Sequence, residues 1–308
     1  MTIASTARSR VAYIPEVTYG TTPATPAFQE LRRTSGNLVT KKGTVVSDEI
    51  RLDRNVRDEF MVSQDVNGSY DFELSYGSYD DLLAAVMFGD WSSNVLWNGS
   101  TEKSFTFEET VDLGGGSYAY SRFAGVEAST LALNFNSRAA VKGSISLMGQ
   151  QETTGTAIIS GATYTAPNTN KIETAVSVAS LAIAGLSPVP KIKSLSLNIN
   201  NNLRIRDRVG SLYTEQFGMG QADVTGQIEV YFESNAVYDQ VLAHGGGALS
   251  LTVGAVTAKK YTFNMPNVVF LDGARKIGGK NDDVMASIPF RALYDGSNGS
   301  LSITRAVA

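Results

Sequence analysis

Apolar and polar residues alternate along most of the chain. The order is Tyr-Asp-Phe-Glu-Leu at 70–74, Leu-Ala-Leu-Asn-Phe at 131–135 and Ile-Ser-Leu at 145–147. The same period returns at 195–199, 228–232 and 249–253. A period of two sends one row of side chains into a core and the other onto a polar face, as in antiparallel strands. Asn67-Gly68, Asn98-Gly99, Asp272-Gly273, Asp295-Gly296 and Asn298-Gly299 are the dipeptides of tight turns. The pattern predicts a mainly β protein.

Two segments break the alternation. Residues 78–88 open on Ser78, carry Asp80 and Asp81 in the first turn, and put Leu82, Leu83, Val86 and Met87 on one helical face before Gly89. Residues 235–243 read as a second short helix, closed by three glycines from Gly245. Each helix follows a strand, and the surrounding sequence repeats. VNGSYDFEL at 66–74 aligns with VTGQIEVYF at 224–232, and YDDLLA at 79–84 with YDQVLA at 238–243. SFTF at 104–107 aligns with KYTF at 260–263, and VKGSI at 141–145 with VMASI at 284–288. Four matches in one order predict a duplication: an N-terminal arm at 1–30, one copy at 31–150, a connector at 151–188 and a second copy at 189–308. With Pro15, Pro23 and Pro26, the arm resists assignment to a compact element. The connector, poor in charge and periodicity, reads as extended chain or a pair of small strands.

Composition narrows the chemistry. The 308 residues include no cysteine and one histidine, which removes disulfides, thiolate nucleophiles and histidine-rich metal sites. Twenty-six basic residues against 30 acidic ones give a net charge of −4, unlike the basic excess that grips nucleic acid. No apolar run approaches bilayer length, and the first ten residues lack the apolar core of a secretory signal. GARKIGGK at 273–280 imitates a phosphate loop, but Gly279 separates Gly278 from Lys280 and Asn281 stands where Ser or Thr binds magnesium; a basic turn is expected. His244, at a helix end, has Ala85 as its counterpart in the first copy, and Asp80 with Asp81 belongs to a first helical turn. The three Asn-Gly-Ser sequons at 67, 98 and 298 read as turns. No catalytic or metal constellation is found, no cofactor is expected, and the chain is not read as an enzyme.

One charged stretch points elsewhere. Residues 41–59 interleave Lys41, Lys42, Asp48, Glu49, Arg51, Asp53, Arg54, Arg57, Asp58 and Glu59 with Val45, Val46, Ile50, Leu52 and Val56. A related stretch at 198–215 holds Arg204, Arg206 and Arg208. Mixed charge with interspersed apolar residues, placed alike in both copies, suits docking between subunits.

At these residues the chain resembles the tail tube (major tail) proteins of long-tailed, non-contractile bacteriophages. The resemblance is carried by PEVTYGTTPATP at 15–26, LRRTS at 31–35, GSYDFEL at 68–74 with the helix after it, FAGV at 123–126 and VKGSISLM at 141–148. It covers most of the first copy and, more faintly, the second. It implies two tandem tube-type β-sandwich or barrel domains, each with a short flanking helix. Three chains would then supply six domains to a ring, the rings stacking into a hollow tube that conducts DNA from virion to host. The long hairpin between early strands would contact the adjacent ring. Partners implied are further copies of the chain, the tape measure, tail-tip and terminator proteins, and DNA in transit without specific binding; no membrane is implied. The protein would be made in the host cytoplasm and reside in the virion tail. Polar members of the alternating strands, Asp71, Glu73, Asn134, Asn136 and Glu229, are expected to line the lumen with net negative potential. Alternatives are the tube protein of a contractile tail or secretion system, and a β-rich adhesin or glycan-binding module.

Overall fold

The computed structural model describes residues 3–167, 169–173, 178–183, 190–297 and 299–306. It is mainly β, with two short helices, Asp80–Val86 and Ala236–Leu242. One continuous antiparallel sheet runs through both halves of the chain. Its strands follow the order Arg33–Val46, Glu59–Glu73, Lys142–Gly149, the second half of Ser117–Asn136, then Ile192–Asn200, Asp223–Tyr231 and Met285–Ala292. A second layer lies behind each half. In the first it is built from Ser9–Pro15, Ala27–Glu30, Phe105–Gly114 and the first half of Ser117–Asn136. In the second it is built from Val178–Ile183, Gly246–Val253, Tyr261–Phe270 and Ser302–Arg305.

The alternation decides which face each row takes. Tyr70, Phe72, Leu131, Leu133, Phe135, Ile145, Leu195, Leu197, Ile228 and Ile288 all point between the layers into one apolar core. At roughly 1.5–3 kcal/mol for each large side chain withdrawn from water, this core dominates the stability of the fold. The strand Ser117–Asn136 crosses from layer to layer: it pairs with Phe105–Gly114 as far as Val126 and with Lys142–Gly149 from Glu127 onward. Gly125, at φ +63°, sits at the crossing.

The two halves share one pairing scheme in one register. Val66 opposite Gly149 in the first half corresponds to Val224 opposite Ala292 in the second, and Glu73 opposite Lys142 to Tyr231 opposite Met285. Irregularities fall at matching places: between Arg33 and Ser35 and between Ile192 and Ser194, then between Phe105 and Phe107 and between Gly247 and Leu249. Phe107 opposite Phe123 corresponds to Leu249 opposite Met265. The match of residues 104–107 to 260–263 is therefore wrong. Phe105–Gly114 has its counterpart in Gly246–Val253, and residues 260–263 belong to the next strand. A period-2 pattern four residues long fits either strand of a hairpin equally well.

Other expectations also change. Asn67-Gly68 is not a turn but the middle of Glu59–Glu73. A side chain at Gly68 would meet the Asn37 carbonyl at 2.1 Å, and one at Gly226, its counterpart, the Ser196 carbonyl at 2.3 Å. Close strand approach, not turn geometry, requires glycine there. The first helix begins at Asp80 without a side-chain cap: Tyr79, not Ser78, stands at the cap position, and the Ser78 hydroxyl accepts from Ser75 at 2.8 Å. The N-terminal segment is no loose arm: Ser9–Pro15 pairs along Phe105–Gly114, burying Val11, Ala12 and Tyr13. Its prolines punctuate two strands rather than preventing them. Within the connector, Gln151–Gly155 pairs with Ser117–Asn136 and Thr163–Thr165 runs parallel to Ala27–Glu30. The rest of it, and the turn at Asn298, lie partly outside the described residues.

Candidate assembly surfaces

The face of the long sheet turned away from the core gathers residues that lie far apart in sequence. Asp71 is opposite Ser144, which is opposite Ala132, which is opposite Asn198. One step along, Glu73, Lys142, Asn134 and Ser196 form the next row, and Asn136, Ser194 and Glu229 another. All five residues expected to line a lumen thus share one polar face of a single sheet. Glu73 and Glu229 lie beside cations, whereas Asp71 is held by hydroxyls. Asp71 accepts a hydrogen bond from Ser35 at 2.5 Å, which with Ser144 holds its carboxyl below the usual range. Glu73 pairs with Lys171, Glu229 lies 4.0 and 3.9 Å from Lys193 and Lys276, and Asp223 pairs with Arg291 at 3.1 Å. These pairs offset part of the negative charge on the face.

The segment 41–59 forms the outer part of a long hairpin. Arg33–Val46 and Glu59–Glu73 pair from Arg33 opposite Phe72 out to Val46 opposite Glu59, and Ser47 N closes the end on Asp58 O. Lys41 and Lys42 are exposed on the shaft. Beyond it, Arg51 makes two hydrogen bonds to Asp53, at 3.0 and 2.8 Å, which hold the Asp53 carboxyl below its ordinary range. Glu49 lies 3.9 Å from Arg51 and 3.8 Å from Arg57, and Arg57 lies 3.6 Å from Asp58. Such exposed pairs hold little energy. What marks the hairpin is its apolar surface: Val45, Val46, Ile50, Leu52, Val56, Phe60, Met61 and Val62 are all exposed, Leu52 completely. Clustered exposed apolar residues are a common feature of contact surfaces.

The counterpart hairpin of the second half is already docked. Arg204–Arg206 pairs with Gln216–Gly218, and the loop between them lies on the first half. Gln64 N donates to Leu212 O at 2.7 Å, and buried Thr214 donates its hydroxyl to Asp65 at 2.6 Å. Gln150 donates to Thr214 O and Gln216 to Glu102. Arg204, Arg206 and Arg208 themselves stay exposed, Arg208 beside Glu215. The second charged segment thus joins the halves of one chain.

That junction has more parts. Ile192–Asn200 pairs antiparallel with Ser117–Asn136, from Ser194 opposite Asn136 to Asn200 opposite Thr130. Buried Asn201 donates to Val86 O and Ala128 O at 2.9 and 3.0 Å. Asp80, expected only to start a helix, accepts from Tyr261 and from Arg305 of the second half. Sequence reasoning missed Gln64, Asp65, Asn201 and Thr214, because single polar residues carry no pattern until their neighbours are known.

Among the described residues no group of three or more His, Asp or Glu side chains is placed to hold a metal ion. Among the same residues no helix is long and apolar enough to cross a membrane. His244 is exposed at the end of its helix, and residues 274–276 of the glycine-rich segment form an edge strand on Met285–Ala292.

Residues 6–292 match the family described as phage tail tube protein, a span covering nearly the whole chain. The chain belongs to this family. It is a structural component of the phage tail. No individually characterised protein matches the chain in sequence.

Proposed function

We propose that this tail tube protein forms the tube of a long-tailed, non-contractile phage as trimeric rings with pseudo-sixfold symmetry, stacked into the conduit for DNA. The observation that carries this reading is the internal junction. Two halves with one pairing register are joined edge to edge through a continuous sheet, which supports reading this junction as a unit-to-unit contact of a ring. The duplication at 31–150 and 189–308 is part of the proposal, with the strands of residues 9–30 added to the first unit. The polar face bearing Asp71, Glu73, Asn134, Asn136 and Glu229 is assigned to the lumen. Its paired charges suit passage of a polyanion, since neither a basic lining that would retain DNA nor a strongly acidic one is present. The exposed hairpin with its apolar tip is assigned to the neighbouring ring. Terminator, tape-measure and tail-tip proteins are the expected partners at the tube's ends and in its bore.

Native mass spectrometry and negative-stain microscopy of the purified protein test the reading. Rings of three chains with a central channel, alone or stacked, are the expected result. A protein that stays monomeric across concentration and salt, or closes with six chains, would sink it.

A further inference from the structure

The junction inside the chain predicts the seam between chains, and this inference rests on the ring reading above. In the junction, Leu197 is opposite Leu133 and Asn198 is opposite Ala132. Asn201 N donates to Ser129 O and Ser137 N to Lys193 O, so the odd-numbered residues of this strand direct their amides across the seam. Each partner has a counterpart in the other half. The repeated register places Leu38 where Leu197 stands, because Leu38 is opposite Gly68 and Leu197 opposite Gly226. It places Arg275 where Leu133 stands, because Leu133 is opposite Gly143 and Arg275 opposite Ala286.

Neither counterpart is paired along that edge in the single chain. Arg33–Val46 has Glu59–Glu73 on one side and no strand on the other among the described residues. A groove of about 460 Å³ runs along that open side, between residues 33–37 and 109–111. Ala274–Lys276 likewise has only Met285–Ala292 beside it, and Ile277 next to it is 80% exposed, where its counterpart Phe135 is buried.

We propose that the open edge at residues 35–41 of one chain pairs antiparallel with residues 272–278 of a second copy, with Leu38 opposite Arg275 and Val39 opposite Ala274. This register sets Lys41 opposite Asp272, an attractive cross-strand pair, and covers Ile277. It also explains how the edge is guarded before assembly. Leu38 N, directed outward like its counterpart, donates to the Glu109 carboxylate at 3.0 Å, and Tyr70 donates to the same oxygen at 2.5 Å. In the second half, where the edge is already covered, the positions of Tyr70 and Glu109 are held by Ile228 and Leu251, both buried. Glu109 is a side-chain stand-in for the carbonyl of the incoming strand, blunting an edge that would otherwise template indiscriminate pairing. In the seam the Arg275 carbonyl takes its place.

The absence of cysteine makes the register directly testable. Val39 and Ala274 would form a non-hydrogen-bonded pair, with Cα atoms about 4.5 Å apart and within disulfide reach. The double variant Val39→Cys/Ala274→Cys is oxidised after assembly and run without reductant, beside Val39→Cys/Lys276→Cys as a register control. Ala132→Cys/Asn198→Cys, the matching pair inside one chain, confirms that oxidation is complete. The expected result is conversion of most of the 39/274 variant to covalent three-chain rings, loss of that band in the 39/276 variant, and only monomers from 132/198. Rings that are visible by microscopy yet remain unlinked at 39/274, or that link at 39/276 instead, overturn the seam and leave the ring reading standing. A wild-type protein that never forms rings, with no link between chains in any variant, overturns both.

Discussion

Glu127 is buried at the point where its strand crosses between layers, beside a cavity of about 400 Å³ that also meets Glu16, Glu102 and Tyr19. One of its carboxylate oxygens has no hydrogen-bond partner among the described residues. Burial, reinforced by Glu102 and opposed by Arg206, pushes its pKa up to about 8. The folded state therefore holds this proton more tightly than the unfolded chain. Stability linked to the group is fully present below the unfolded value of about 4.5 and is lost as pH rises towards 8. Glu127→Gln is expected to gain up to a few kcal/mol over wild type at pH 9 and almost nothing at pH 4. Thermal melts of the dispersed protein at the two pH values check this, and equal shifts at both would contradict it. Two residues away, Gly125 offers a purely steric test. A Cβ there would meet Gln150 Cβ at 2.9 Å and the Tyr19 ring at 3.1 Å, on a backbone that disfavours L side chains. Gly125→Ala should cost about 1–3 kcal/mol in chemical denaturation.

Among the elements, the strands were the most legible, because burial on one face imposes a period that no other requirement erases. That Asp71 shares a face with Glu73, and Asn134 with Asn136, was readable for that reason, since residues two apart in a strand share a face whatever the topology. The partner of each strand was not readable, and the misassigned match of 104–107 shows why: strand pairing is chosen by the whole register, not by four residues. The fate of the two charged hairpins was equally hidden. Both have the same kind of sequence, yet one is docked on Asp65 while the other stands exposed, and only the presence of a covering surface separates them. The junction is held partly by Asn201, whose removal would leave Val86 O and Ala128 O buried without this donor. Asn201→Ala is expected to destabilise by about 1–3 kcal/mol, lowering the urea midpoint of the whole chain in one transition. The exposed hairpin makes the opposite prediction. Ile50→Asp with Leu52→Asp should move the melting of the dispersed protein by no more than about 0.5 kcal/mol, while abolishing stacked tubes in micrographs. Tubes of unchanged length would remove the hairpin from the ring-to-ring contact.

At the scale of the molecule, a single sheet crosses both halves, and on its polar face Glu73, Glu229 and Asp223 lie beside cations. Net composition, at −4, gave a reasonable sign for the protein but a poor guide to this face, because a chain-wide sum says nothing about which residues become neighbours. The paired arrangement predicts negligible retention of duplex DNA by assembled rings at physiological salt. A gel-shift series across salt concentrations should give almost no bound fraction and no steep salt slope. Strong binding that collapses as salt is raised would reassign the face.

The repeated register also fixes what kinds of error the protein can make. Sheet units that arrive on separate chains can be miscounted, leaving a ring one unit short or one in excess. In the ring proposed above the units would come as covalent pairs, related by the junction at residues 130–136 and 194–200. Any closed ring of intact chains therefore contains an even number of them. Five- and seven-membered rings, the misassemblies nearest in curvature to six, are forbidden by parity before any interface energy is consulted. In such a ring, fidelity that would otherwise depend on finely tuned contact angles would be partly a property of chain connectivity.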